Sequence, residues 1–394
     1  MQDQRDDGSY SLFETPPSPE GEAAAGSEFG QPGSEGDPDR HAASGADVDA
    51  LAASVLITGA SGLIGSHVAA RFREMGWNVR ALIRPSSDAS FLEELGCEFV
   101  VGDLTDPDSM SGAAEGCEVV IHAAAQLGAP ASMEQHVEVN VEGTRRILKE
   151  ALRAGARRFV HVSSVAVYGA PTATDELPLG EDLPLDHPIP DSDHYSLTKR
   201  VAEEVVRKAE RRIEWCILRP DMVMGERDRL FTPRVLRWAS RPVLACLGSG
   251  GSDLPLVYAG NVAHAVWLAA TREKARWRTY NVTDDGTLTQ KTLLRMAAGR
   301  GPDAPVLPLP ARLVGLAARI SKAVHRILPR SQPLGLTPNR IRLFTEGDPY
   351  DGSLIVRELG WTAAVSTEEG WRRAIRWYES TRSADRGIQP MEET

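Results

Sequence analysis

The residues with the clearest potential for chemistry are Tyr195 and Lys199, which lie four positions apart in the segment Tyr195-Ser196-Leu197-Thr198-Lys199. Side chains at this spacing share one face of a helix. A positive charge beside a phenol lowers its pKa, so Tyr195 is a candidate general base, tuned by Lys199. A simple pair of side chains on a surface helix is the alternative that these two residues alone leave open.

A glycine-rich turn lies upstream, where the β-branched strand 55–58 is followed by glycines spaced G-x-x-G-x-x-G. Glycine lets the backbone turn sharply, approach a pyrophosphate and pack a helix closely on a strand. The free N–H groups of the helix that follows attract phosphate. By itself the triad also fits an ordinary strand-to-helix loop. The predicted dinucleotide-binding residues of this turn are Gly59, Ser61, Gly62, Leu63, Ile64 and Gly65.

The pattern that follows predicts the elements that position these residues. Between residues 51 and 220, strands at 55–58, 79–83, 99–101, 119–122, 158–163 and 215–219 alternate with helices at 63–75, near 91, near 109, and at 137–154 and 195–208. This alternation indicates an α/β fold with a Rossmann-type, doubly wound parallel sheet. Ser164 follows the strand that ends at Ser163, at the carboxyl edge of the sheet where ligands of such folds bind.

Two further regions flank the predicted cofactor-binding domain. Residues 221–385 contain shorter pieces, including strands 256–258 and 279–282 and helices 262–270 and 289–298, and are predicted to form a smaller substrate-binding lobe. Residues 1–50 are rich in Pro, Gly, Ser, Ala and acidic residues and are predicted to form a disordered tail.

Charge and cysteine content limit the classes of function. The tail carries a net charge of −10 of the chain's −11, so the rest is nearly neutral and gives no reason to expect nucleic acid as a partner. The four cysteines form no C-x-x-C pair, the first residues do not resemble a signal peptide, and no run of 18 apolar residues occurs. We therefore expect a cytoplasmic protein without a metal site.

Seven motifs in order give the chain a recognisable family pattern. They are Thr58–Gly65, Gly102–Asp106, His122–Ala125, Asn140–Thr144, Ser163–Gly169, Tyr195–Lys199 and Leu218–Pro220. Over about residues 54–380 the chain resembles the extended short-chain dehydrogenases/reductases, the NAD-dependent epimerase/dehydratase superfamily. The resemblance implies that Ser164, Tyr195 and Lys199 are catalytic and that Asn140 helps to hold the active-site helix and a water molecule. It also places Asp103 and Leu104 at the adenine, Ala123 and Ala124 at the ribose, and Pro220, Met222 and Val223 at the nicotinamide.

The resemblance also bears on the substrate. Dehydratases carry an acidic pair where this chain has Val165 and Ala166, and sugar-nucleotide epimerases commonly carry a diphosphate-binding Arg where it has Leu254. The segment 257–265 and the apolar insertion 304–345 are instead similar to those of 3β-hydroxysteroid dehydrogenases and sterol C4-decarboxylating dehydrogenases. Tyr168-Gly169, by contrast, is common among sugar-modifying members. We expect hydride transfer at a secondary alcohol or ketone of a bulky, apolar small molecule, with a nucleotide-sugar epimerase or dehydratase and a non-catalytic NAD(P)-sensing protein as alternatives.

The residue at the end of the second strand predicts the cofactor. Proteins that select NAD place a carboxylate about 20 residues past the glycines, and an Arg nearby accommodates the 2′-phosphate of NADP. Here Ile83 stands at the acidic position and Arg84 follows it, so NADP is favoured over NAD, although Asp88 is close enough to compete for Arg84 or to approach the ribose.

Two partners beyond the substrate are also predicted: an anionic membrane surface, contacted weakly by the basic amphipathic helix 311–328, and a second copy of the chain in a homodimer.

Overall fold

A seven-stranded parallel sheet forms the centre of the computed structural model, which describes residues 53–127, 131–169, 178–284, 286, 288–310, 312–315 and 338–385. The strands in chain order are β1 (Ser54–Thr58), β2 (Asn78–Ile83), β3 (Glu98–Val101), β4 (Val119–His122), β5 (Arg158–Val162), β6 (Glu214–Pro220), β7 (Met222–Met224), β8 (Leu244–Leu247), β9 (Leu256–Tyr258), β10 (Arg278–Val282) and β11 (Val306–Leu309). The sheet has the order β10-β6-β5-β4-β1-β2-β3, so the chain winds outward in both directions from β1. The predicted Rossmann-type fold is confirmed.

Helices cover both faces of this sheet. They are α1 (Leu63–Glu74), α2 (Ser90–Glu94), α3 (Met133–His136), α4 (Gly143–Arg153), α5 (His194–Arg207), α6 (Phe231–Ala239), α7 (Ala259–Thr271), α8 (Gln290–Ala297), α9 (Pro338–Glu346), α10 (Ser353–Leu359) and α11 (Thr367–Asp385). A π-helical segment, Val137–Glu142, joins α3 to α4, and short 3-10 helices occupy Asp108–Met110, Val165–Tyr168 and Glu273–Ala275. Helix α1 packs along α7 on one face, and α4 packs against α5 on the other.

The alternation of side chains along β1 explains the two halves of the core. Val55 and Ile57 point into the cluster shared with α1 and α7, whereas Leu56 points into the cluster shared with α4 and α5. All three side chains are completely buried, because helices cover the sheet on both sides. Because β1, β4, β5 and β6 pair in parallel, their carboxyl ends lie at one edge of the sheet, where the predicted site residues lie.

The chain after β6 adds two small sheets, and helices α6, α8 and α11 pack on one another there. Strand β7 pairs with β9, and β8 pairs with β11, both in parallel. Trp371 of α11 is completely buried, and its indole N–H donates to the carbonyl of Leu293 at 3.1 Å. The division predicted at residue 220 stays a prediction. Among the described helices, none is long and apolar enough to cross a bilayer.

Several predicted boundaries need correction. The helix predicted at 137–154 begins earlier, at Met133, because Ser132 and Gln135 form a capping box, and it contains the π-helical segment. The helix predicted near 109 is a three-residue 3-10 turn. Helix α5 begins at His194, where the Asp193 carboxylate accepts from the N–H of Ser196. Of the predicted basic helix 311–328, residues 312–315 are helical, and the others, like the predicted disordered tail 1–50, lie outside the described residues.

Candidate active site

The glycine turn between β1 and α1 leaves no room for side chains at two of its positions. Gly59 has a φ of +68°, and a Cβ there would lie 2.7 Å from the backbone of Ala124. A Cβ on Gly65 would lie 2.1 Å from the carbonyl oxygen of Gly59. Gly62 caps α1 without any side-chain hydrogen bond, so the first N–H groups of the helix, at Leu63 and Ile64, keep their capacity to bind an anion. The turn thus has the close backbone packing and the free N–H groups that a pyrophosphate site would need, and its binding role stays a prediction.

The end of β4 closes one side of this turn. The N–H of Ala123 donates to the carbonyl of Thr58 at 3.2 Å, and the N–H of Ala124 lies 3.4 Å from the Thr58 hydroxyl. The backbone of these two alanines fills the space beside Gly59, which is why a Cβ at that position would lie 2.7 Å from Ala124. The structure thus brings the predicted ribose-binding pair and the predicted phosphate-binding turn together.

Ser164 and Tyr195 meet at the same edge of the sheet. Ser164 follows β5 and caps the short 3-10 helix, with its Oγ accepting from the N–H of Ala166 at 3.2 Å. The Ser164 hydroxyl also lies close enough to Tyr195, in the first turn of α5, to lower the pKa of the phenol. Both side chains are partly exposed, so their oxygens can be reached by a ligand. The two predicted catalytic hydroxyls are therefore adjacent.

Lys199 lies one turn further along α5 and is almost completely buried, at 2% exposure. Its Nζ donates to the carbonyl oxygen of Val162 at 2.6 Å and lies 3.2 Å from Nε2 of His161. The ammonium is thus held by two groups of β5.

Burial sets the protonation of both groups. It raises the pKa of Tyr195 to about 12, against the hydrogen bond with Ser164, which lowers it. It lowers the pKa of Lys199 to about 7, against the charge of Glu203, which raises it. The phenol therefore carries its proton at neutral pH, and the lysine is close to its midpoint. The predicted lowering of the Tyr195 pKa would therefore require the positive charges of a bound nicotinamide cation and of Lys199.

Asn140 joins three parts of the site from within the π-helical segment. Its Oδ1 accepts from the N–H of Gln126 at 2.7 Å, and its Nδ2 donates to the hydroxyl of Thr198 at 3.0 Å. Thr198 precedes Lys199 on α5, so this bond ties the helix of the catalytic pair to the neighbouring helix. The backbone carbonyl of Asn140 accepts from the Thr144 hydroxyl at 2.6 Å. The predicted role in holding the active-site helix thus has a direct contact behind it.

Sequence reasoning missed a buried ion pair beneath the catalytic helix. Glu203 of α5 accepts from Nε and Nη2 of Arg219 at 2.9 and 2.7 Å, with both side chains only 1% exposed. The same carboxylate accepts from the hydroxyl of Ser163 at 2.6 Å. Arg219 also donates to the hydroxyl of Tyr168 at 2.9 Å. A signal was available, since Glu203 stands four positions after Lys199 and eight after Tyr195, the predicted catalytic residues, and therefore on their face of the helix.

In the loop after β2, Arg84 has no carboxylate partner among the described residues. Arg84 is exposed and makes no ion pair among the residues that the structure describes, while its backbone and that of Ser87 form a tight turn. Asp88 does not compete for it: its carboxylate is 3.1 Å from Arg229, which follows β7, and also accepts from Ser90. The Arg84 guanidinium is thus available to a ligand beside the first strands.

The remaining predicted cofactor contacts are spread along the same edge. Asp103 is partly exposed, and its carboxylate accepts from the N–H and hydroxyl of Thr105, both at 2.9 Å. The side chain of Leu104 is 7% exposed and packs in the core, so it offers little surface to an adenine. Pro220 is buried at the end of β6, and Val223 of β7 is partly exposed. Their contacts with a cofactor stay predictions.

Comparison with known proteins fits this geometry. The model of the NAD dependent epimerase/dehydratase family matches residues 55–283. The chain belongs to this family. It is 31% identical over 331 residues to the sterol demethylase protein B of Methylococcus capsulatus. The aligned region covers 82% of this chain and 98% of that protein. The chain is 26% identical to the 2-alkyl-3-oxoalkanoate reductase of Shewanella oneidensis, with 83% and 87% covered.

A solved structure extends the comparison to the whole fold. A short-chain dehydrogenase/reductase superfamily protein from Agrobacterium tumefaciens with bound NAD is 25% identical, with a TM-score of 0.59 over 85% of this chain and 99% of that one. The predicted resemblance to the extended short-chain dehydrogenases/reductases is confirmed. This member of the epimerase/dehydratase family is an NAD(P)-dependent enzyme of the dehydrogenase/epimerase type.

Three positions that distinguish branches of the family are buried in this enzyme. Leu254 is completely buried, so the position offers no cation to a diphosphate. Val165 is 7% exposed and packs against Tyr168 and Tyr350, and no carboxylate stands there. The Tyr168 hydroxyl donates to the side-chain oxygen of Asn281 at 2.8 Å, within the core. Tyr168, despite its frequency in sugar-modifying members, therefore serves the packing of this protein.

Proposed function

We propose that this protein is an oxidoreductase that transfers hydride between NADP(H) and a secondary alcohol or ketone of a bulky, apolar molecule. The observation that carries the proposal is that Ser164 lies beside Tyr195 at the sheet edge, with Lys199 one turn away on the same helix. The glycine turn that follows β1, whose shape would suit a pyrophosphate, lies at the same edge of the sheet. The arrangement supplies the acid, the orienting hydroxyl and the cation that such a reaction needs.

The chain's own groups would handle the substrate and its proton. Ser164 would hydrogen-bond the substrate oxygen and hold it beside the phenol. Tyr195 would give its proton to that oxygen in reduction and take it back in oxidation, and its pKa of about 12 keeps the proton in place at neutral pH. Lys199 would favour the phenolate through its charge. A bound nicotinamide would supply or accept the hydride.

The substrate class rests on what surrounds the site. Leu254 leaves the diphosphate position of the epimerases without a cation, and Val165 and Ala166 leave the dehydratase position without carboxylates. Two relatives are named for a sterol demethylase and for a 2-alkyl-3-oxoalkanoate reductase. One name refers to a sterol and the other to an alkyl-substituted 3-oxo acid, and we carry over to this protein what they share, a bulky hydrocarbon part next to an oxygen function.

The cofactor preference rests on Arg84. Its guanidinium is unpaired among the described residues, and Asp88, the one carboxylate near it in sequence, is held by Arg229. A guanidinium binds a phosphate through two parallel hydrogen bonds. Arg84 is therefore placed to bind the 2′-phosphate of NADP. The predicted homodimer and weak membrane contact through residues 311–328 stay predictions as well.

The decisive experiment is a substrate screen with matched variants. Purified protein is assayed by cofactor absorbance with NADPH, NADH and their oxidised forms on 3-hydroxysteroids, 3-oxosteroids and 2-alkyl-3-oxoalkanoates, and calorimetry measures binding of uridine diphosphate sugars. We expect turnover on the apolar set and no sugar-nucleotide binding. Tight binding of the sugars with no apolar turnover would favour the epimerase alternative.

Two variants test the residue assignments. Tyr195→Phe should lower kcat roughly 10²–10⁴-fold while cofactor affinity stays close to wild type, because only the proton-transferring group is lost. The control is Tyr378→Phe on α11, which should keep full activity. Arg84→Ala should weaken NADP binding roughly tenfold to a hundredfold and leave NAD binding unchanged, with Arg357→Ala as control. Equal losses for both cofactors would refute the assignment of Arg84.

A further inference from the structure

A buried histidine contacts the catalytic lysine from below the sheet edge. His161 of β5 is completely buried, and its Nε2 lies 3.2 Å from Nζ of Lys199. The charged form of Lys199 has three donors and no acceptor, so in that form Nε2 accepts the hydrogen bond and the proton of the neutral imidazole is on Nδ1. The carbonyl of Val162, the next residue in the strand, accepts a second N–H of the lysine at 2.6 Å. Two neighbouring groups of one strand thus fix the direction of Nζ.

The other atoms of His161 give no reason for a histidine at this position. Its Nδ1 has no hydrogen-bond partner among the described residues, and an unpaired buried donor is costly. The comparison with His122 is instructive, because it pairs in register with His161 on the neighbouring strand β4. Both nitrogens of His122 are bonded, to the hydroxyls of Thr58 and Thr144 at 2.7 and 2.9 Å. Among the described residues, the one hydrogen-bond partner of the His161 ring is Lys199.

Among the described residues, no carboxylate is hydrogen-bonded to the ammonium. Glu203 lies one turn further along α5, but its oxygens are bonded to Arg219, Arg207 and Ser163. The other charged or titratable groups that act on His161 and Lys199 are Arg207 of α5 and His122 of β4. The lysine is therefore held by a neutral ring and a carbonyl.

We propose that His161 is a positioning residue for Lys199. Its imidazole accepts one N–H of the ammonium and the Val162 carbonyl accepts another, which leaves the third N–H for the active site. The hydrogen bond favours the charged form of a lysine that burial would otherwise discharge. His161 thereby sets the pH at which Lys199 loses its charge and its support of Tyr195. The catalytic consequence rests on the proposed function, whereas the effect on the lysine does not.

The direct test is an NMR titration of Lys199 in the full-length protein labelled in its lysine side chains, with the signal assigned by its loss in Lys199→Met. Removing the acceptor in His161→Phe should lower the pKa of Lys199 by about one to two units. His161→Gln, which keeps an acceptor, should restore most of the wild-type value. The matched control His122→Phe removes an equally buried histidine and should leave the titration of Lys199 in place. A wild-type pKa in folded His161→Phe would overturn the proposal.

A second measurement avoids any change of the histidine. In protein labelled with nitrogen-15 in histidine, Lys199→Met removes the donor to Nε2, and the Nε2 resonance of His161 should move while that of His122 stays. An unmoved resonance would overturn the proposal even if His161→Phe did not fold. Because neither measurement needs turnover, failure of the substrate screen would not affect this result. If turnover is found, kcat/KM of His161→Phe should fall at a lower pH than in wild type.

Discussion

The ion pair beneath the catalytic helix makes Glu203→Gln the sharpest test of how the site is held. Glu203 and Arg219 are each 1% exposed and joined by two hydrogen bonds of 2.9 and 2.7 Å. Removing one partner of a buried pair leaves the other charge uncompensated, which costs about 3–5 kcal/mol. Gln keeps the volume and one acceptor oxygen, so we expect a loss near the lower end, about 3 kcal/mol.

Urea unfolding at neutral pH measures this loss as a lower midpoint at an unchanged slope. The control is Glu204→Gln, one position along the same helix, where a surface substitution should change the free energy of unfolding by less than about 0.5 kcal/mol. Because α5 carries Tyr195 and Lys199, kcat should also fall in Glu203→Gln. If Glu203→Gln lowered the free energy of unfolding by less than about 1 kcal/mol, the reasoning that it leaves Arg219 as a buried, uncompensated charge would be wrong.

The pH dependence of the same variant gives an independent check. Burial raises the pKa of Glu203, but the charge and hydrogen bonds of Arg219 outweigh it, so the net shift is downward. A carboxyl whose pKa is lower in the folded state contributes stability above its unfolded pKa, and this stability is lost as pH falls through the folded value. The difference between wild type and Glu203→Gln should therefore shrink in acid.

Three further changes test other parts of the structure. Gly65→Ala places a methyl group 2.1 Å from the Gly59 carbonyl oxygen, so cofactor affinity should fall roughly tenfold or more, while Gly301→Ala, which meets nothing within 4 Å, should have no effect. Burial and Asp348 raise the pKa of Asp221 well above its usual value, so the free energy of unfolding should fall as pH rises from the usual pKa of an aspartate to this raised pKa. In Asp221→Asn, the free energy of unfolding from urea titrations should fall less over the same pH range. Arg229→Ala removes the exposed partner of Asp88, whose carboxylate can then compete for Arg84. NADP affinity should therefore fall a few-fold and NAD affinity less, and a larger loss for NAD would contradict the proposed role of Arg84.

The parts of the fold that follow from local patterns could be predicted from the sequence. The run Val55-Leu56-Ile57 is apolar at every position because helices cover both faces of the sheet, and such runs mark the inner strands of a parallel sheet. The glycines at 59 and 65 appear in the sequence for the same steric reasons that the structure shows. The spacing of Tyr195 and Lys199 likewise contains its own geometry, since a helix places them on one face.

Contacts between distant segments could not be predicted in this way. Asp88 and Arg229 are 141 residues apart, and neither is unusual in its local sequence. The π-helical segment at Asn140 depends on partners in other elements, above all the Thr198 hydroxyl and the N–H of Gln126. Periodicity predicts an ordinary helix there, because it carries no information on side chains that bond across the fold.

The protonation of Lys199 leads to a final prediction about the proposed reaction. The pH dependence of kcat/KM reports the groups of the free enzyme. Burial lowers the pKa of Lys199 to about 7, so the charged form that favours the phenolate of Tyr195 is present below that pH and is lost as pH rises. We expect kcat/KM to be constant in mild acid and to decline above about pH 7. Lys199→Arg carries a permanent charge and should lose this decline even if its rate is lower, whereas Lys149→Arg on the exposed side of α4 should keep it. A flat wild-type profile across neutral pH would show that the charge of Lys199 does not limit the reaction.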